Sequence, residues 1–147
     1  MKCSVSPSME NYLESIYEIG KDRDVVRVKD VAERMGVKMA SVTGALQSLA
    51  KRELVHYAPY QSISLSKQGK ELARCIHNRH RVLTSFLTGA LGVTPETAAE
   101  DACKLEHVLS PETMDGLLRF MLQHAFISPA EKELIDEYEK GRRGIDG

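Results

Sequence analysis

The chain has no tryptophan, and five tyrosines and three phenylalanines leave little aromatic surface. A platform that stacks single-stranded bases or RNA needs such rings, so the composition argues against that class of binder. No apolar run reaches the roughly 18 residues that would span a bilayer, and residues 1–7 lack the apolar stretch of a secretory leader. A cytoplasmic protein without membrane contact is therefore expected. Cys3, Cys75 and Cys103 are too few, and odd in number, for a disulfide framework; they read as reduced thiols. Neither charge sign is in excess: 20 basic and 21 acidic residues give a net charge of −1, which argues against a general polyanion binder.

What is present is unevenly distributed. Residues 1–74 carry a balance of +3 and residues 75–147 one of −4, so a basic function belongs to the first half. A length of 147 residues allows one or two small domains, to whose stability a partner subunit would add.

Apolar periodicity places the elements. Met9, Tyr12, Leu13, Ile16, Tyr17 and Ile19 recur at helical spacing, with Ser8 as the expected N-cap. A polar connector (20–24) leads to a short β-prone stretch (25–28). Residues 29–35 then read as a helix closed by Gly36, and residues 39–52 as a second helix with Val42, Leu46 and Leu49 inward. From 54 to 57 and from 62 to 65 the period changes to two around a polar tip containing Pro59, the pattern of a β-hairpin. Ser66 caps a long helix (67–91) ended by Gly92; Thr94-Pro95, Ser110-Pro111 and Ser128-Pro129 open three more, the first reaching 109 and the last 140, before a tail (141–147) expected to fray. The expected fold is mainly α: an N-terminal winged helix-turn-helix DNA-binding domain (1–72), then a helical domain (73–147).

In such a module the second helix enters the major groove of duplex DNA while the first braces it. Val31, Ala32, Met35, Gly36, Val37, Val42 and Leu46 supply the small turn residue and the apolar lock. Lys38, Met39, Ala40, Ser41 and Thr43 are then left to face DNA, with Arg27, Gln47 and the wing residue Tyr60 as further candidates. Ser41 and Thr43 can donate to phosphates, Lys38 adds charge, and Met39 and Ala40 can touch thymine methyls. Residues 24–81 hold 11 basic against 5 acidic residues, an excess suited to a phosphate footprint.

A second constellation lies in the helical half. Cys103, Glu106 and His107 stand at i, i+3 and i+4, which on a continuous helix is one face. Thiolate, carboxylate and imidazole suit Fe(II), Zn(II), Co(II) or Ni(II) better than Ca(II) or Mg(II), which prefer oxygen alone. Three ligands leave coordination positions open, for which Asn11 and Glu14 on the first helix and His80 on the long helix are candidates. By spacing alone, Cys103 could equally be a small core residue and Glu106-His107 a polar face.

The stretch Ser8-Met9-Glu10-Asn11-Tyr12-Leu13-Glu14-Ser15-Ile16-Tyr17, the helix-turn-helix from Val31-Ala32-Glu33 to Ser41-Val42-Thr43, Leu65-Ser66-Lys67-Gln68-Gly69-Lys70, Asn78-Arg79-His80-Arg81 and Cys103-Lys104-Leu105-Glu106-His107 are in order. Together they resemble the metal-dependent repressors typified by diphtheria toxin repressor and the manganese transport regulator, over about residues 7–125. The resemblance implies a homodimeric transcription factor whose helices after the wing carry the dimer interface and the metal site, with metal joining the first helix to them. It places Cys103, Glu106 and His107 on metal-binding positions; the cysteine matches the iron-sensing branch, whereas Glu14 and His80 match ligands of the manganese branch. Asn11 stands where the iron branch has methionine and the manganese branch aspartate. Thr84 and Ala99 replace partners of the iron branch's ancillary site, and Gly44 replaces a base-contacting glutamine.

The expectation is a metal-activated repressor that binds operator DNA as a homodimer and controls metal homeostasis genes, with Fe(II) the first candidate ion and Mn(II) the second. The alternative is a metal-independent winged-helix regulator with Cys103 as a redox-sensing thiol. An enzyme is not expected, since the chain has no nucleophile elbow, H-E-x-x-H motif or phosphate loop.

Overall fold

The computed structural model describes residues 5–124 and 129–146. Cys3 and the expected cap Ser128 lie outside them. Two compact units divide at Arg74/Cys75, within one long helix.

In the first unit, α1 (Pro7–Asp22) is capped two residues earlier than expected: Ser6, not Ser8, is the N-cap, its Oγ accepting from the Met9 amide at 3.3 Å, with Pro7 at the first helical position. Proline fits there because its missing N–H would have no intrahelical partner. The helix also runs through the expected connector to Asp22, and buries Leu13, Ile16 and Ile19. It packs against α2 (Val28–Met35) and α3 (Met39–Lys51). Gly36 closes α2 in the left-handed conformation, φ +65°, which a side chain would strain. Val31, Ala32, Val42 and Leu46 are buried at the helix-turn-helix, whereas Met35 is half-buried and Val37 exposed, so the lock uses fewer residues than expected.

The wing is short. β1 (Val55–His56) pairs antiparallel with β2 (Ser64–Leu65), Val55 opposite Leu65. The β-prone stretch before α2 contributes a single bridge, Val26 to Ile63, with the Ile63 amide donating to the Val26 carbonyl at 2.8 Å. At the tip the Gln61 amide donates to the Ala58 carbonyl at 3.1 Å, and Tyr60 has φ +64°. Proline at the second position and positive φ at the third are the marks of a type II turn, which resolves the geometry around Pro59. After the wing, Ser66 caps α4 (Lys67–Gly89): its Oγ accepts from the Gly69 amide at 3.0 Å and donates to the Leu54 carbonyl at 3.1 Å. Gly69 is required here, because a Cβ would sit inside the Leu54 carbonyl group.

The second unit comprises the rest of α4, then α5 (Pro95–Leu105), α6 (Pro111–Gln123) and α7 (Pro129–Asp146). Thr94 and Ser110 cap α5 and α6 as expected, and Gly92 has φ +67°. Val82, Leu83, Leu87, Ala98, Ala102, Met114, Leu118, Met121, Leu134, Ile135 and Tyr138 form the core. Two outcomes differ from expectation. Helix α5 ends at Leu105 instead of 109. Helix α7 continues through the expected tail to Asp146, held by an Arg142–Asp115 ion pair to α6 and a Ser85 hydroxyl donating to Glu131.

Candidate nucleic-acid interface and metal centre

In the first unit, α3 is amphipathic by position. Val42, Ala45, Leu46 and Leu49 face inward, while Lys38, Met39, Ala40, Ser41, Gly44 and Gln47 are exposed and Thr43 is half-buried. Met39 is 53% exposed, an unusual state for so apolar a side chain. Between α3 and the wing lies a groove of about 860 Å³ lined by Arg27, Lys29, Met39, Thr43, Gln47, Tyr57 and Tyr60, among others. Five of the eight expected DNA-facing residues thus share one concavity; Lys38, Ala40 and Ser41 are exposed at the start of α3 outside its lining.

Two details modify the expected contacts. The Thr43 hydroxyl donates to the Met39 carbonyl at 3.1 Å, so its proton is committed within the helix and it is not a ready phosphate donor. Arg27 precedes α2 with its amide donating to Asp30 Oδ2 at 3.0 Å, while Asp30 Oδ1 accepts from Arg23 at 2.7 Å; this fixes the backbone from which the exposed Arg27 side chain extends. Lys29, Tyr57 and Gln61 line the groove and were not anticipated from sequence. The basic residue following Arg27 at the start of α2 was the available signal for Lys29. The strained, fully exposed Tyr60 is held at the wing tip, where a positive φ for a bulky residue costs roughly 1 kcal/mol or more.

In the second unit, the premise that Cys103, Glu106 and His107 share a helix face does not hold. Helix α5 stops at Leu105, and Glu106, His107 and Val108 form the turn that follows, with the Val108 and Leu109 amides both donating to the Leu105 carbonyl at 3.0 Å. The three candidates differ in exposure. Cys103 is exposed on α5, whereas Glu106 is 0% exposed and the His107 side chain 6%.

Around Glu106 stand two imidazoles. His80, on α4, donates from Nδ1 to Glu106 Oε2 at 2.9 Å, and His107 Nε2 lies 3.2 Å from Glu106 Oε1. Burial opposes the charge on Glu106, but hydrogen bonding by His107 and His80, together with their charge, outweighs it and holds the carboxyl below its ordinary value. A carboxylate is therefore kept ionised at a fully buried position. Asn11 and Glu14 are half-buried on α1, in the first unit.

Glu106 Oε1 accepts no well-aligned hydrogen bond among the described residues despite being buried, and burying such an atom without a partner is costly. Two ligands on one ion at about 2.1 Å each stand roughly 3.0–3.4 Å apart for angles between octahedral and tetrahedral. The 3.2 Å separation of Glu106 Oε1 and His107 Nε2 falls in that range. A proton on His80 Nδ1, required by its bond to Glu106, leaves Nε2 with its lone pair in the neutral ring. The residues present fit a divalent transition metal.

A helix-turn-helix with a basic groove and wing, followed by a helical unit with a buried carboxylate–imidazole cluster, defines a DNA-binding regulator class. The first part of the chain matches the model of the iron dependent repressor N-terminal DNA binding domain over residues 4–63. The second matches that of the iron dependent repressor metal binding and dimerisation domain over residues 66–132. The chain belongs to the iron dependent repressor family of metal-dependent transcriptional regulators.

It is 37% identical over 118 residues to an uncharacterised HTH-type transcriptional regulator of Methanocaldococcus jannaschii, covering 80% of this chain and 94% of that protein. It is 36% identical over 112 residues to the HTH-type transcriptional regulator MntR of Bacillus subtilis, covering 76% of this chain and 78% of MntR. Among solved structures, a manganese-dependent transcriptional repressor in complex with manganese superposes with a TM-score of 0.70 at 28% identity, covering 81% of this chain and 53% of that one. The manganese regulator SloR superposes with a TM-score of 0.69 at 30% identity, covering 80% and 55%. The chain thus spans about half the length of these two solved structures. No helix among the described residues is long and apolar enough to cross a membrane.

Proposed function

We propose that this protein is a homodimeric repressor that binds operator DNA through α3 and the wing when Mn(II) occupies the site built on Glu106 and His107. The carrying observation is the buried Glu106 with one carboxylate oxygen 3.2 Å from His107 Nε2 and without a well-aligned hydrogen bond among the described residues. Glu106 and His107 would hold the ion, with His80 either orienting Glu106 or ligating through Nε2. The cation would supply a fixed double positive charge that neutralises the buried carboxylate.

The choice of Mn(II) over Fe(II) departs from the sequence expectation and rests on donor chemistry. With Cys103 exposed, the gathered donors are oxygen and imidazole nitrogen, and without a thiolate the preference for the softer iron weakens. The manganese-named relatives support the same ordering. Asn11 and Glu14 are the further donors that the resemblance implies, and single substitutions read by metal titration assign them; Cys103, which the resemblance also implies, is placed outside the donor set here on its exposure.

For metal to raise operator affinity tenfold it must favour the binding-competent arrangement by about 1.4 kcal/mol. Operator affinity measured at fixed salt in the apo, Mn(II) and anaerobic Fe(II) states tests the proposal. Mn(II) should strengthen binding at least tenfold; equal affinities with and without either ion refute it. The thiol-switch alternative expects operator binding that responds to peroxide and survives chelator.

A further inference from the structure

The outward face of α3 is defined by the residues opposite its buried side. With Val42, Ala45, Leu46 and Leu49 inward, the centre of the opposite face is the row Ala40, Gly44, Gln47 and Lys51, all exposed. Two features of this row are unaccounted for by the fold.

The first is Gly44. Glycine inside a helix lowers its stability relative to alanine, and is usually explained by close packing. Here a Cβ would meet nothing within 4 Å, and the residue lies in a continuous helix. Nothing among the described residues requires glycine at this position, which leaves this face of α3 without a side chain.

The second is the hydrogen-bonding inventory. Ala40 and Gly44 have no polar side chain, Thr43 spends its hydroxyl on the Met39 carbonyl, Met39 is apolar, and the exposed Lys38 and Ser41 lie outside the groove lining. Lys51 stands at the last residue of the helix, away from the end that leads into the groove of DNA. Gln47, exposed and lining the groove beside Met39 and Thr43, is the long amide on this face. An amide can pair bidentately with adenine, its oxygen accepting from N6–H and its NH2 donating to N7.

We infer that Gly44 and Ala40 let α3 lie unusually deep in the major groove, so that Gln47 reads one adenine in each operator half-site and dominates base discrimination by this helix. The inference rests on the DNA-binding role proposed above. It assigns to Gln47 a specificity that a set of phosphate contacts would lack.

The test is selection of bound sequences from a random duplex library by the full-length protein with Mn(II) at fixed salt. The same selection is run with Gln47→Ala and Gly44→Ala, and the preferred adenine is then replaced by 7-deazaadenine. Wild type should select an adenine that Gln47→Ala no longer distinguishes, with discrimination there falling about tenfold, and 7-deazaadenine should weaken wild type but not the variant. Gly44→Ala should melt at a higher temperature and yet bind the selected duplex several-fold more weakly, a pair of opposite signs that a folding defect does not produce. If wild type selects sequences and Gln47→Ala selects the same ones equally well, or if Gly44→Ala binds as tightly as wild type, the inference is overturned while the repressor reading stands. If wild type selects no sequence with metal present, both fall.

Discussion

Replacing Glu106 by glutamine isolates the charge of the buried carboxylate from its shape. Glutamine keeps an oxygen that can accept from His80 Nδ1, where the wild-type contact is 2.9 Å. What changes in the metal-free protein is a charge-assisted hydrogen bond for a neutral one, a loss of about 1 kcal/mol. Relief from burying a full charge at a 0% exposed position works the other way. The melting temperature without metal should therefore stay within about 4 °C of wild type for a chain of this size.

Metal binding should respond quite differently. Loss of a partner that merely orients a ligand already costs about 10–100-fold in affinity, so removal of an anionic donor itself should cost at least 100-fold, about 2.7 kcal/mol. Calorimetric or EPR-detected Mn(II) titration of both proteins, alongside melting curves, makes the comparison. Mn(II) affinity within threefold of wild type would refute the assignment of Glu106 as a ligand. A melting temperature lowered by more than 10 °C without metal would show instead that the carboxylate is chiefly structural. Combining Glu106→Gln with His107→Ala should cost less than the two single losses together, because both act on one ion.

Other outcomes follow from separate contacts. Gly69→Ala should destabilise the first unit by about 3 kcal/mol, read as a shift in denaturant midpoint, because the new Cβ collides with the Leu54 carbonyl that also anchors Ser66; an unchanged midpoint would show that α4 shifts freely there. Tyr138 is pushed up to about 12 from 10.0, chiefly by burial and also by Cys75, so its neutral ring favours the folded state. That stability, about 2.7 kcal/mol, is complete below pH 10 and is lost as pH rises toward 12; Tyr138→Phe should flatten the alkaline limb of the stability profile, and an identical limb would contradict the shift. Cys103→Ser should leave Mn(II)-dependent operator binding within about threefold of wild type if the exposed thiol is not essential to the site, whereas loss of the metal response would return Cys103 to the ligand set.

Much of the DNA-reading half was legible because its signals are local. Gly36 between two short amphipathic runs, and the change of period at Leu54, each depend on a few adjacent residues and survive in the structure as the left-handed cap and the hairpin. The errors there concern ends: Pro7 at the first helical position moved the cap to Ser6, and the absence of glycine or proline after Ile19 other than Gly20 let α1 continue to Asp22. The Thr43 hydroxyl could not be assigned from sequence, since the same residue caps, packs or back-bonds according to its place on the helix.

The metal cluster was legible in composition and illegible in arrangement, for a definite reason. No helix-breaking residue stands between Leu105 and Leu109, so the i, i+3, i+4 spacing of Cys103, Glu106 and His107 looks the same whether the helix continues or turns. In the structure Glu106 has φ −58° and ψ −25°, close to helical, and the departure comes only with the residues after it. The pairing of Glu106 with His80, 26 positions earlier, is nonlocal and sets which side chains end up inside. A buried carboxylate that must stay charged therefore dictates the turn as much as the turn positions the carboxylate. If so, Glu106→Leu, which removes both the charge and the imidazole contacts while keeping an apolar side chain of similar reach, should let α5 extend toward Leu109. Amide hydrogen exchange at Val108, which donates to Leu105 three residues back, should slow in that variant as it gains the i−4 carbonyl of Lys104, and exchange unchanged from wild type would show that the chain ends α5 at Leu105 independently of Glu106.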